Sequence, residues 1–172
     1  MFKFEEQENN KTEYLRISSK VLRLASPVFV GMFSSYIQEK PDLLQCESPV
    51  RDLKDDDFQV TGITLDIHHG RSYIQRCDTS AVRLAQLAIH CSKYERIRAL
   101  SPWVSPWCKD MEEMIHGSAD IGFILLAAQM FGQSKLFAQM SKEALTEMPT
   151  KFHLDWKDQD LVRSLPAGIT GK

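Results

Sequence analysis

The sequence has no strong excess of charge of either sign and no long apolar segment. Its 172 residues include 21 Lys and Arg against 23 Asp and Glu, which gives a formal net charge of −2. A protein dedicated to nucleic acid normally carries a clear basic excess, so this balance argues against that class. The most apolar run, residues 121–128, is much shorter than the roughly 20 residues that span a bilayer. We therefore expect no membrane partner.

Paired cysteines and phosphate-binding loops are also missing. No C-x-x-C pair or zinc-finger spacing occurs, and the glycines form neither a G-x-x-x-x-G-K-[ST] nor a G-x-G-x-x-G loop. The scattered cysteines favour reduced thiols over a disulfide framework; they are Cys46, Cys77, Cys91 and Cys108. The first residues, MFKFEEQENN, are acidic and polar, whereas a secretory signal is basic and then apolar. We expect a cytoplasmic or nuclear protein without a cofactor.

Histidine pairs come closest to a metal or catalytic site. His68 and His69 are adjacent, and adjacent residues on a helix point about 100° apart, so they cannot easily share one metal ion. We expect one to pack near a helix end and the other to be solvated. His90 and Cys91 have the same defect as a nucleophile pair, and Cys91 falls on an apolar helical face. The sequence therefore predicts no metal site, no catalytic residues and no enzymatic activity.

One group of basic residues offers an alternative function in nucleic-acid binding. Lys93, Arg96 and Arg98 lie close to Trp103, and cations interleaved with aromatic residues can contact a nucleic acid. Such groups are more often the solvated face of a helix. We prefer the solvated face and expect no nucleic-acid partner.

Two parts of the chain predict a small β-sheet. Phe2 and Phe4 form a first short strand and Tyr14–Ile17 a second, separated by the turn-prone Asn9-Asn10. Pro49–Leu53 is a further short strand, which we place at an edge because Pro is tolerated there.

Two short helices, broken at Ser26-Pro27, are predicted after the hairpin. Ser18-Ser19 can cap the first, which continues to Ala25. Ser26 caps the second, and Pro27 suits its first turn. The apolar residues that this second helix presents are Val28, Phe29, Met32 and Phe33.

Helical spacing of apolar residues continues beyond residue 55. Asp55-Asp56-Asp57 can cap a helix that ends at Gly70. Ser80 or Thr79 caps the next helix, which has the clearest one-sided apolar stripe in the chain. The residues of that stripe, which we expect to be buried, are Leu84, Leu87, Ala88 and Cys91.

A short repeat precedes the last predicted helices. Ser101-Pro102-Trp103 and Ser105-Pro106-Trp107 place two tryptophans four residues apart, which is one face of a helix. Pro106 inside a helix costs about 3 kcal/mol, so we expect a kink or a restart there. Helices follow at about 119–131 and 134–148, and residues 150–172 read as a frayed polar tail.

Several of these segments resemble the BTB/POZ family, and its fungal members most closely. The family signature, written VL…SPVF…MF, is matched by Ser19–Phe29 followed by Met32-Phe33. Three further segments match in order and spacing: Asp55–Phe58 leading to Ile67–Gly70, Leu87-Ala88 to Lys93-Tyr94, and Pro102-Trp103 with Pro106-Trp107. The resemblance covers about residues 13–148.

The resemblance implies a helix-rich α+β fold, with BTB/POZ-like helical hairpins packed on a small β-sheet and extra C-terminal helices. It divides the chain into a BTB/POZ-like domain at 1–110, with a short first strand, a helical extension at 111–150 and a polar tail at 151–172. It also implies a non-enzymatic protein-interaction module. The implied partners are a cullin scaffold, another BTB chain or both, including a second copy in a homodimer.

The sequence departs from the family pattern in two places. Ser18 stands where animal members often have a histidine, and only Phe2-Lys3-Phe4 precedes the first turn. BTB domains usually have a full apolar strand there, and many metazoan members precede it with a helix exchanged between dimer partners. The resemblance therefore does not imply a domain-swapped homodimer.

The predicted partner contact is Ile37-Gln38-Glu39, beside Met32 and Phe33. Cullin-binding BTB domains carry an apolar-x-Glu motif a few residues beyond the MF pair that ends their second helix, and this triplet has that position. The resemblance implies that Ile37 fills a pocket and Glu39 makes a polar contact, both projecting from a loop. Only the position selects this triplet, because the same pattern occurs at Phe4-Glu5-Glu6, Met111-Glu112-Glu113 and Leu145-Thr146-Glu147.

Two functions are compatible with these observations. The first is an adaptor that connects a substrate to a cullin-based ubiquitin ligase. The alternative is a BTB oligomerisation partner in a transcription-linked complex, without a DNA-binding domain of its own.

Overall fold

The computed structural model describes residues 2–6, 11–39, 50–53, 56–70, 80–111, 115–146, 148–149, 156 and 159–161. These residues are mainly helical and include a small sheet, which is compatible with the predicted α+β class. The strands are β1 (Phe2–Glu6), β2 (Lys11–Leu15) and β3 (Arg51–Asp52). The helices are α1 (Ser19–Ala25), α2 (Pro27–Glu39), α3 (Phe58–His68), α4 (Ala81–Lys93), α5 (Ile97–Asp110), α6 (Ser118–Met130) and α7 (Ser134–Thr146).

The chain divides into two compact units. The first contains the described residues up to 75 together with Lys93–Arg96, and the second contains those from 76 to 92 and from Ile97 onward. The predicted domain boundary at residue 110 stays a prediction. Of the helices that can be described, none combines the length and apolarity needed to cross a membrane.

The sheet of the first unit has the strand order β2-β1-β3. β1 pairs antiparallel with β2, with Phe2 opposite Leu15, which confirms the predicted hairpin, although its second strand is Lys11–Leu15 rather than the predicted 14–17. β3 pairs parallel with β1 at the edge, with Phe2 opposite Arg51, which confirms the predicted edge strand. The predicted turn at Asn9-Asn10 lies outside the described residues.

The α1–α2 hairpin also follows the sequence prediction. Ser18 Oγ accepts a hydrogen bond from the amide of Val21, and Ser26 Oγ accepts one from the amide of Phe29, so each helix has its own N-cap. The hairpin covers one face of the sheet with a cluster of fully or nearly buried apolar residues. Burial of each large apolar side chain contributes about 1.5–3 kcal/mol. The cluster consists of Phe2, Leu22, Phe29, Leu53, Leu65 and Tyr94.

Capping also defines α3. Asp57 Oδ1 accepts a hydrogen bond of 2.7 Å from the amide of Val60, which confirms the acidic cap at this residue. Asp55 is outside the described residues. His69 is the C-cap, and Gly70 follows with φ of +66°, a left-handed conformation that favours glycine after a helix.

In the second unit, the stripe predicted for α4 is confirmed, since Leu84, Leu87, Ala88 and Cys91 are all at most 1% exposed. The restart predicted as one possibility at Pro106 is wrong, because α5 is one helix that contains Pro102 and Pro106, and the other possibility, a kink, stays a prediction. Both prolines are exposed. The carbonyls four residues before them, which cannot receive an amide hydrogen bond, therefore lie on the side of the helix that water can reach.

Trp156, a residue of the predicted tail, packs against α6. Residues 121–128 of α6 are all buried, as expected for a helix that is apolar all round. Trp156 is 2% exposed, and its indole Nε1 donates a hydrogen bond of 2.8 Å to the carbonyl of Ser118 at the start of α6. A Cβ at Gly122 would lie 2.9 Å from Nε1. The tail is thus anchored at Trp156 rather than frayed there; most of its other residues lie outside the described part.

Candidate protein-interaction surfaces

The predicted cullin-contact residues belong to the last turn of a helix. α2 continues past Phe33 and ends at Glu39, so the expectation that Ile37 and Glu39 project from a loop is wrong. The physical reason is that neither proline nor a terminal glycine follows Phe33 within this stretch, so nothing in the sequence stops the helix. The side chains of residues 35–39 are outside the described part of the structure.

Met32 and Phe33, predicted as partner-binding, contribute to the packing of α2 on the sheet. Both are partly buried against the core cluster. The Phe33 ring centroid lies 6.2 Å from that of Phe2 and 6.0 Å from that of Phe29, within the range of favourable aromatic pairs. These contacts hold the helix that carries Ile37 and Glu39. Only the parts of Met32 and Phe33 that remain exposed are available to a partner.

The turn Lys93–Arg96 packs into the first unit through Tyr94. The Tyr94 ring stacks on Phe29 with 4.7 Å between centroids, and its hydroxyl donates a hydrogen bond of 2.6 Å to Asp56 Oδ2. The second oxygen of Asp56 accepts a hydrogen bond of 3.0 Å from Lys93 Nζ. The Asp56 side chain is only 4% exposed, and a carboxylate in that environment needs such partners. The network fixes the start of α3 to the turn.

Arg96 is the most unusual side chain of this network, because it is charged and only 1% exposed. Its guanidinium carbon lies 5.1 Å from the ring centroid of Phe29 and 5.3 Å from that of Tyr94, and Nη2 donates a hydrogen bond of 3.1 Å to Thr64 Oγ1. A planar, weakly hydrated guanidinium is well suited to such contacts with aromatic faces. The solvated face expected for Lys93, Arg96 and Arg98 is therefore wrong at Arg96. That residue is also not available to a nucleic acid.

Ser26 connects the turn to the α1–α2 hairpin. Its hydroxyl accepts the amide hydrogen bond that caps α2 and donates a hydrogen bond of 2.6 Å to the carbonyl of Tyr94. The residue is 2% exposed, so both contacts are shielded from water. One hydroxyl thus holds the start of α2 and the turn in a fixed relation.

The histidine pair at the end of α3 differs from the expectation that one of the two is solvated. His69 is half-buried, its Nδ1 lies 2.8 Å from the carbonyl of Leu65, and its Nε2 accepts a hydrogen bond of 3.2 Å from the amide of Ser18. Because Nε2 accepts, Nδ1 carries the proton and donates. His68 is also half-buried, and its Nε2 has no hydrogen-bond partner among the described residues. Burial, and then the positive charge of Arg96, lower the pKa of His68 from 6.5 to about 4.

Two cysteines and one histidine of the second unit are buried. Cys91 and Cys108 are buried free thiols, and burial raises the pKa of Cys108 to about 11, which keeps it protonated at neutral pH. His90 is 5% exposed. No three His, Cys, Asp or Glu side chains within the described ranges are grouped so that they could hold a metal ion. His153, Cys46 and Cys77 are outside those ranges.

A second surface lies on the α1–α2 hairpin. Leu24 of α1 is 82% exposed and Val30 of α2 is 38% exposed. Leu22, which is also in α1, is completely buried. The two exposed residues border an open groove of about 550 Å³. The groove is lined by Ser19, Lys20, Arg23, Leu24 and Val30.

Comparison with known proteins gives no assignment, because no family model, curated protein or solved structure matches the chain. Two of the features above were missed by sequence reasoning. Arg96 has the spacing of an ordinary surface cation, and no sequence signal marks it as buried. For Trp156 a signal exists, since a lone tryptophan in a polar segment invites the question of what buries it.

Proposed function

We propose that this chain is a non-enzymatic protein-interaction module of BTB/POZ type that binds a cullin scaffold through the C-terminal turn of α2. In this role it connects a substrate to a ubiquitin ligase. Ile37 supplies an apolar anchor and Glu39 a polar contact, and Met32 and Phe33 position the helix that carries them.

The observation that carries the proposal is that residues from three of the four matched segments meet in the first unit, while the fourth, Pro102-Trp103 with Pro106-Trp107, lies in the second. Leu22 comes from the VL pair, Phe29 from SPVF, and Tyr94 from the later match, and all three are buried side by side with Phe2 of the sheet. Asp56, from the acidic match, receives the Tyr94 hydroxyl. These residues come from parts of the chain that are far apart in the sequence. Their contact here supports a common structural role.

The sheet and hairpin supply a second argument. The resemblance implies a helical hairpin packed on a small sheet, and α1 and α2 pack in this way on β1 through Phe2, Leu22 and Phe29. The last turn of α2 follows Phe29 and Phe33, two residues of this helix that pack on the sheet. This is the position that the resemblance assigns to the contact with the scaffold.

The test is isothermal titration calorimetry of the purified chain with the N-terminal domain of a cullin. The Ile37→Ala, Glu39→Ala double variant should bind at least tenfold more weakly, because truncating an interface anchor typically costs about 2 kcal/mol or more. The Leu145→Ala, Glu147→Ala variant is the matched control, since it has the same apolar-x-Glu pattern elsewhere in the sequence. It should bind like the wild type.

Two results would overturn the proposal. Equal affinity of the folded Ile37 and Glu39 variant would show that this turn is not the contact. If the wild type fails to bind but self-associates in size-exclusion chromatography, the chain is an oligomerisation module, which is the alternative function derived from the sequence.

A further inference from the structure

The groove on the α1–α2 hairpin is separate from the C-terminal turn of α2. In a helix as short as α1, Leu22 is used for the core and Leu24, two positions later, faces away from it with 82% of its surface exposed. A single exposed leucine is ordinary. A leucine that borders a groove beside a second exposed aliphatic residue, Val30, is a candidate anchor site for a partner.

The charge around the groove is of one sign. Lys20 and Arg23 line it, both are exposed, and neither forms an ion pair with a residue that the structure describes. Between Arg16 and Gln38 the sequence contains no Asp or Glu, although the chain as a whole has a net charge of −2. The lining of the groove is therefore a locally positive region of a slightly acidic protein, and such a region attracts negative partners.

We propose that this groove binds an acidic segment of a partner protein. An apolar side chain of the segment packs on Leu24 and Val30, and neighbouring carboxylates pair with Lys20 and Arg23. This site goes beyond the proposed cullin contact and does not depend on it, because the residues that form the two sites are different.

Other occupants fit the charges less well. In a symmetric dimer the same patch meets itself, so Lys20 and Arg23 of one copy would face like charges on the other. An anionic membrane contributes only about 1 kcal/mol per cation near its surface, so two cations and one leucine hold it weakly. An acidic peptide satisfies both the cations and the apolar residues of the groove.

The test starts from a phage library of random 12-residue peptides selected on the full-length chain, with counter-selection on the Lys20→Glu, Arg23→Glu variant. The expected result is a set of peptides rich in Asp and Glu around a Leu, Ile, Met or Phe. In fluorescence anisotropy titrations of one such labelled peptide, the Lys20→Glu, Arg23→Glu variant should bind at least tenfold more weakly and Leu24→Ser at least fivefold. Affinity should fall as salt is raised.

Matched controls come from exposed residues of α7. Lys142→Glu and Leu145→Ser change the same residue types on another helix and should leave peptide affinity unchanged. Circular dichroism verifies that each variant is folded. Leu24→Ala, a milder change at the same exposed position, replaces Leu24→Ser if that variant does not fold.

Three results would overturn the proposal. The first is a selection without acidic enrichment. The second is loss of binding in the α7 controls equal to that in the groove variants. The third is peptide binding that does not depend on Lys20 and Arg23, combined with binding of phosphatidylserine vesicles or self-association of the chain that does.

Discussion

Replacing Ser26 by Ala removes two contacts of one buried hydroxyl. The first is the cap of α2, in which Ser26 Oγ accepts the Phe29 amide, and loss of a cap costs about 1 kcal/mol. The second is the hydrogen bond of 2.6 Å donated to the carbonyl of Tyr94. A buried carbonyl that loses its hydrogen-bond donor destabilises the fold by about 1–3 kcal/mol. We expect Ser26→Ala to lower the free energy of unfolding by about 2–4 kcal/mol.

Ser18→Ala is the matched control for this prediction. Ser18 caps α1 in the same way, through the amide of Val21, but it is exposed, and its hydroxyl makes no second contact of the Ser26 kind in the described structure. We expect Ser18→Ala to cost about 1 kcal/mol or less. The excess cost of Ser26→Ala then measures the connection between α2 and the turn Lys93–Arg96.

The assay is urea denaturation followed by far-UV circular dichroism, with the midpoint and slope fitted separately. Tryptophan fluorescence alone is unsuitable, since Trp103, Trp107 and Trp156 all lie in the second unit. Hydrogen exchange of peptides from α2 and from the turn should also accelerate in Ser26→Ala. Equal losses in the Ser26 and Ser18 variants would refute the connection that we assign to the Ser26 hydroxyl.

Two further predictions concern His68 and Gly122. The lowered pKa of His68 means that the folded state binds fewer protons than the unfolded state between pH 6.5 and about 4. The contribution of His68 to the free energy of unfolding is therefore complete above pH 6.5 and is lost as the pH falls through this window. The slope of unfolding free energy against pH should be shallower in His68→Gln than in the wild type, and identical slopes would contradict this assignment. Gly122→Ala should destabilise the second unit by about 1–3 kcal/mol and redshift the fluorescence of Trp156, because the added Cβ would lie 2.9 Å from the indole nitrogen. An unchanged midpoint and spectrum would show that Trp156 does not occupy this position in solution.

Local signals in the sequence were sufficient for much of the first unit. Ser26-Pro27 fixes the break between α1 and α2 because its cap and its proline act over one turn, and the structure places the break there. Asp57 caps α3 for the same reason. Apolar alternation and a turn signal were likewise enough to pair β1 with β2.

The structure differs from the prediction where the sequence carries no local signal, or where contacts between residues distant in the chain determine the conformation. The length of α2 differs from the prediction because the resemblance ends the helix at Met32-Phe33, although no residue that stops a helix occurs between Phe33 and Glu39. A restart of the helix at Pro106 is one of the two outcomes that the sequence predicts, but α5 continues through this residue, since its exposed position lets water satisfy the carbonyl that it leaves without an amide. Arg96 could not be placed from the sequence, since its burial depends on Phe29 and Thr64, which are distant in the chain.

Hydrogen–deuterium exchange of the chain alone and with the cullin N-terminal domain tests directly whether the end of α2 is the contact. We predict slower exchange in residues 33–39 at the end of α2, and no change in residues 134–146 of α7. Slower exchange elsewhere without any change in residues 33–39 would contradict the proposed contact. No change anywhere at saturating cullin would contradict the proposed function itself.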